Sequence, residues 1–197
     1  MKGTQNMLGV MAAEAALSAL DAEIPLRVAQ ADEIETLCDI DLDASRLFDQ
    51  VGLELTAQNS AEYAALERSR WLECLESGTT LIASNRSGLP VGFAALRALD
   101  GEPYLEQLSV RMRAMRNGIG TALLRVAERL SAKTQPATLW LTTYRHLSWN
   151  APFYERAGFV PVCAEQCGNE MLQELLSQRR LLPKPNMRLA MRKRRGL

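Results

Sequence analysis

A chain of 197 residues with 47% hydrophobic content is long enough to bury one full-sized core, and its 23 basic and 23 acidic residues cancel to zero net charge. No apolar run approaches the ~18 residues of a membrane span, no repeat or linker-like stretch divides the chain, and neither membrane association nor a repeat array is expected. The charge is uneven: residues 1–100 hold 7 Lys and Arg against 16 Asp and Glu, and residues 101–197 hold 16 against 7.

The first 23 residues read as an extra arm in which Leu8, Met11 and Ala15 share one helical stripe. A single Lys and an apolar stretch broken by Glu14 argue against a secretory signal, so a cytoplasmic protein is expected. Residues 24–197 then read as one domain. The pattern predicts strand Ile24–Ala29, acidic helices over 32–47 and 61–77, and strands Thr79–Ser84, Pro90–Leu99 and Pro103–Val110, separated by turn signals at Arg86-Ser87-Gly88 and Asp100-Gly101. Helix 118–132, strand 137–143, helix 151–157, strand 158–164, helix 169–180 and strand 187–194 follow. Cys38, Cys74, Cys163 and Cys167, with His146 far away in sequence, lack zinc-site spacing and read as reduced core thiols; no metal is expected.

The richest segment is 104–124, YLEQLSVRMRAMRNGIGTALL. After Leu108 and Val110 the period changes, and Ile119, Leu123, Val126, Ala127 and Leu130 recur at helical spacing. A helix starting near Gly118 exposes its first amides, and close approach over Gly118 and Gly120 suits a phosphate. Arg111, Arg113 and Arg116 add positive charge. Gly120 is followed by Thr121-Ala122 and not Lys-Ser/Thr, which excludes a P-loop, and the strand about 20 residues on, Ala137-Thr138-Leu139, has no acid for a dinucleotide ribose. A simple glycine-softened helix start stays open beside a phosphate loop.

A second segment, 139–159, LWLTTYRHLSWNAPFYERAGF, reads as strand, loop and a short helix opened by Asn150 with Pro152 in its first turn and stopped at Gly158. Asn150 could serve only as a cap, with Phe153, Tyr154 and Phe159 as packing residues. Together, Met115-Arg116-Asn117-Gly118-Ile119-Gly120 and Phe153-Tyr154-x-x-x-Gly158-Phe159 resemble the coenzyme A loop and the following signature of the GNAT N-acetyltransferases, with WNAPFY resembling a bacterial subgroup. Met115 stands where that family's loop usually begins with Gln or Arg, and Tyr104 where many relatives carry a His or Glu.

The resemblance implies an α/β (α+β) fold with a mixed, mostly antiparallel sheet of six to seven strands flanked by helices, binding acetyl-coenzyme A as co-substrate. It implies coenzyme A contacts from Leu108, Ser109 and Val110, from Met115, Arg116, Asn117, Gly118, Ile119, Gly120 and Thr121, and from Asn150 and Phe153. Backbone N–H groups near Ser109 and Val110 would polarise the thioester carbonyl, and the Tyr154 hydroxyl would protonate the leaving thiolate. An ammonium of pKa ~10.4 carries roughly 4.6 kcal/mol of deprotonation cost at pH 7; Glu106, or Glu102, is the expected base. The expected acceptor is a small-molecule or peptide amine, cationic if the acidic helices line its side, although solvated helix faces explain those charges equally well. A coenzyme A sensor without catalysis and an interaction protein remain alternatives, as do monomer and homodimer. The basic end, Met187 to Arg195, alternates as a half-buried strand whose arginines read as a solvent face or edge protection, without the aromatic interleaving of nucleic-acid binding.

Overall fold

The periodicities resolve into three layers in the computed structural model, which describes residues 24–55, 60–132 and 137–194. The strands are β1 (Leu26–Val28), β2 (Thr80–Ser84), β3 (Pro90–Leu99), β4 (Glu102–Val110), β5 (Thr138–Tyr144), β6 (Val160–Val162) and β7 (Arg188–Arg194). The helices are α1 (Ile34–Asp49), α2 (Ser60–Glu76), α3 (Ile119–Ser131), α4 (Ala151–Arg156) and α5 (Asn169–Leu181). Among the described residues seven strands form one sheet in the order β1-β2-β3-β4-β5-β7-β6, in which only the β4–β5 pair is parallel. A parallel neighbour requires a crossover, and α3 lies in it.

Period-two alternation sends neighbouring residues to opposite layers. Leu81, Ala83, Ala94, Leu96, Leu105 and Leu141 pack under α3 with Leu123, Val126 and Ala127. Ile82, Phe93 and Ala95 pack against Ile34, Leu37 and Ile40 of α1 and Trp71 and Leu75 of α2, while Tyr104, Trp140 and Ala190 meet Met171 and Leu175 of α5. Every residue of β2 is buried, as a strand covered on both faces requires.

Most boundaries fall within two residues of the sequence reading. The edge strands are shorter: 158–164 contracts to Val160–Val162, where Pro161 lacks an N–H and only β7 is available for pairing. The predicted arm over 1–23 lies outside the described residues. Two expectations need correction. Strand β7 is interior, between β5 and β6, so its basic residues do not protect an edge: Arg188 is buried, Arg192 stacks over Trp140 and Lys193 pairs with Glu128 at 2.8 Å. The cysteines are unpaired, but only Cys74 is buried and Cys163 is exposed, so they are not all core thiols.

The feature that shapes the site is a break between the middle strands. In the β3–β4 register Ala95 faces Gln107 and Leu96 faces Leu105, which leaves Glu106 as an extra residue. Such a bulge bends its strand. The parallel β4–β5 pairing is confined to Tyr104↔Trp140 and Leu105↔Leu141, and beyond Leu105 the strands part.

Candidate active site

The parted strands open onto a cavity of about 720 Å³ bounded by β4, β5, α1, α2, α4 and the start of α3. Arg111 donates its amide to Val91 O at 2.8 Å. By the alternation of an antiparallel ladder, the Ser109 and Gln107 amides also turn to β3, while those of Leu108 and Val110 face the opening. Of the amides expected near Ser109 and Val110, that of Ser109 is therefore turned to β3 and that of Val110 faces the opening, together with that of Leu108. Ser109 contributes its side chain instead, donating from Oγ to Asp41 Oδ1 at 2.5 Å.

The turn into α3 is held from outside the cavity. Asp43 accepts the Met112 amide at 2.8 Å, and the Asn117 carboxamide donates to the Ala114 and Met115 carbonyls, both at 3.3 Å. Arg111 reaches Pro90 O and Asp39 O at 3.2 and 3.3 Å, so its charge is engaged away from the mouth, contrary to expectation. Gly118 is the N-cap in the left-handed region (φ 79°), where a side chain would be strained. The Gly118 carbonyl accepts the Ala122 amide, and the preceding amides of Ile119, Gly120 and Thr121 have no acceptor in their own helix. A Cβ at Gly120 would point between Val110 and Phe153, 3.9 and 3.8 Å away. Of the residues proposed for coenzyme A, Leu108, Ser109, Val110, Met115, Arg116, Gly118, Gly120, Thr121, Asn150 and Phe153 line the cavity. Ile119 is turned into the core, and Asn117 braces the loop.

Across the opening, Asn150 is the N-cap of α4, yet its side chain makes no capping bond; its carbonyl accepts the Phe153 amide at 2.8 Å. The Tyr154 ring packs edge-on against Phe153 and Phe159, with centroids 5.0 and 5.7 Å apart. Tyr154 lines the cavity; its hydroxyl bonds to no described residue, and burial raises its pKa well above that of free tyrosine. Tyr104 differs: its hydroxyl bonds Thr142 Oγ1 at 2.8 Å and accepts from Gln178 Nε2 at 3.3 Å.

The acids sort into distinct environments. Glu106 accepts from Arg97 Nε and, at 3.3 Å, from Arg70. The same two guanidiniums hold Glu174, each at 2.7 Å. Burial raises the Glu106 carboxyl, and the two guanidiniums oppose that. Glu102 accepts the Trp140 indole N–H at 2.5 Å. Both expected bases are thus engaged in structural contacts. Sequence reasoning missed two other cavity acids, Asp41 and Glu67. Asp41 accepts from Gln107 Nε2 and Ser109 Oγ, each at 2.5 Å, and burial raises its pKa. Glu67 forms no ion pair among the described residues; burial and then the Asp41 charge raise its pKa well above the usual range, and the Tyr63 hydroxyl one turn away favours its ionised form. The available signal was Tyr63, Glu67 and Trp71 at i, i+4 and i+8, one helix face that ends in a core tryptophan.

With this geometry in place, residues 76–161 match the family model described as acetyltransferase (GNAT) domain. Among solved structures, a PaiA N-acetyltransferase from Thermoplasma acidophilum in complex with coenzyme A superposes with TM-score 0.58 at 18% identity, over 88% of this chain and all of that one. A GNAT-family acetyltransferase from Staphylococcus aureus gives TM-score 0.61 at 16% identity, over 87% of this chain and 98% of that one. The fold is the GNAT fold. N-acetylglutamate synthase from Neisseria gonorrhoeae, complexed with coenzyme A and N-acetyl-glutamate, also superposes, at TM-score 0.59 and 17% identity over 91% of this chain, which spans only 37% of that one. In this GNAT fold no helix among the described residues is long and apolar enough to cross a membrane, and those residues hold no cluster of His, Cys, Asp and Glu able to ligate a metal.

Proposed function

We propose that this chain moves an acetyl group from acetyl-coenzyme A to a primary amine by direct attack in a ternary complex. The observation that carries the reading is convergence on one cavity: the parted edge of β4, the glycine-flanked start of α3, Tyr154 and an unpaired carboxylate, Glu67, all face it. The cavity fits coenzyme A. Free helix amides and the positive end of the α3 dipole suit the pyrophosphate, Gly120 on the cavity wall puts no side chain in its way, and the uncommitted Asn150 side chain offers a further polar contact.

Glu67 replaces Glu106 as the proposed base. Glu106 is taken up by the two arginines that hold it, whereas the Glu67 carboxyl, raised by burial and by the Asp41 charge against the Tyr63 hydroxyl and the field of Arg70, forms no ion pair among the described residues and is open to an ammonium. Glu67 accepts the ammonium proton; the amine nitrogen then bonds the acetyl carbon while the carbon–sulfur bond breaks. Leu108 and Val110 amides donate to the carbonyl oxygen as charge gathers there. The Tyr154 hydroxyl stays protonated through the working pH range and donates to the departing sulfur; the nitrogen's second proton then restores the hydroxyl, and the first leaves Glu67 for solvent, so ammonium and thioester give neutral amide, thiol and one released proton. A sensor without catalysis would have no use for Glu67. Thiol release from acetyl-coenzyme A across an amine panel, with the acetylated amine identified by mass, tests the reading. Coenzyme A binding without release for any amine would refute it.

A further inference from the structure

Arg188 opens β7 opposite Tyr144 of β5 and lines the same cavity, only 8% exposed. Its guanidinium stacks on the Tyr144 ring, 4.6 Å from the centroid. Nη2 donates to Thr142 Oγ1 at 3.1 Å and to Gln178 Oε1. All of these partners are neutral. The nearest acid along the network, Glu174, is one link away through Gln178 Nε2 at 2.7 Å, and it is already shared by Arg70 and Arg97. Among the described residues no carboxylate pairs with Arg188 and nothing accepts from Nη1; Nε is buried without a partner. A guanidinium has five donors, and three of them here lack an acceptor. A buried cation in that condition is costly unless a ligand completes it.

The surroundings restrict what that ligand is. The proposed phosphate-binding start of α3 is a separate part of the wall, whereas Arg188 shares the cavity with Tyr63 and Glu67 of α2 and with Tyr154. It therefore stands by the proposed base and acid, on the acceptor side. Resting on the acetyl-transfer reading, we propose that Arg188 binds a carboxylate of the acceptor, so that the substrate class is amines that also carry a carboxylate, such as amino acids. Phe48, Leu55, Tyr144 and Trp149 form the adjoining apolar wall, which favours an apolar side chain. The cationic acceptor expected from the acidic helices loses three candidate partners, since Glu35 is paired with Arg68, Glu62 with Arg180 and Asp39 with Arg111, and in the cavity a polycation would meet the Arg188 charge as well as Asp41 and Glu67.

The test uses the full chain with matched sets: L-phenylalanine, L-phenylalaninamide and 2-phenylethylamine, then the other apolar amino acids with their amides. Thiol release gives kcat/KM, and calorimetry on coenzyme A-saturated protein reads acceptor binding without turnover. Charge-assisted pairing predicts that the best acid exceeds its amide by about 10–100-fold in both readouts. Arg188→Gln should bring the acid down to the amide's level, mainly through KM. Arg188→Lys, which keeps the charge and loses the fork, should retain part of the preference and carries the comparison if the Gln variant fails to fold. Amides equal to acids in the wild type, or a preference that survives in folded Arg188→Gln, would overturn the assignment. Amino-acid binding that depends on Arg188 without thiol release would overturn acetyl transfer and leave the carboxylate site standing.

Discussion

Replacing Glu67 with Gln removes one proton acceptor and almost nothing else. The side chain keeps its length and its place between Tyr63 and Trp71 on α2, while the amide cannot take a proton from an ammonium. Without a base, attack at pH 7 waits for free amine, at roughly 4.6 kcal/mol for a pKa of ~10.4. General bases contribute about 10²–10⁴-fold, so kcat/KM should fall by about 10²–10³. Coenzyme A affinity should not change, since α2 lies across the cavity from the start of α3. The wild-type rate should climb as pH rises through Glu67's raised pKa, and the variant should lose that limb. Stability should move the other way. Burial holds the folded pKa above the unfolded ~4.3, so folding weakens as pH rises from the unfolded value to the folded one, where the penalty is complete. Gln is never charged. The variant's Tm should match the wild type near pH 4 and exceed it at pH 8. Thiol-release kinetics and thermal melts on one preparation check both halves; wild-type turnover at pH 7, or a Tm deficit that grows with pH, would refute the assignment.

Gly120→Asp should abolish coenzyme A binding in calorimetry with an unchanged Tm, because the new Cβ makes only ordinary contacts while its carboxylate occupies the phosphate position. Gly118→Asp should in addition lower Tm, since a left-handed side chain costs about 1–2 kcal/mol. Tyr154→Phe keeps the ring contacts with Phe153 and Phe159 and removes a hydroxyl without a described partner. It should therefore cut kcat by about 10²–10³ at unaltered Tm, and a lower Tm with normal turnover would mark a structural tyrosine instead. Glu106→Gln strips one of the two carboxylates shared by Arg70 and Arg97 and should cost about 3 kcal/mol, or roughly 6–12 °C in Tm, with coenzyme A affinity kept. A stable Glu106→Gln enzyme without turnover would return the base to Glu106.

The order of elements, the start of α3 at Gly118 and the short helix behind Asn150 were legible in the sequence because they rest on local chemistry: side-chain period, glycine at a turn, proline in a first turn. The glycine spacing also located the proposed phosphate mouth on the cavity wall, and the flanking β4 residues followed from adjacency in the chain. Pairing of charges was not local. Glu106 looked available beside the loop, and only packing brought Arg70 of α2, Arg97 of β3 and Glu174 of α5 around it. Glu67 looked like one more surface acid on an acidic helix until the fold turned that helix face to the cavity. Arg188 read as part of a basic terminal strand until β7 was placed between β5 and β6, where burial removed water from its guanidinium and Gln178 and Thr142 took the place of a counter-ion. Backbone conformation follows from neighbours in sequence, whereas the ionisation and availability of a side chain depend on burial and on charges up to 104 residues away, as between Arg70 and Glu174, and these exist only in the folded chain.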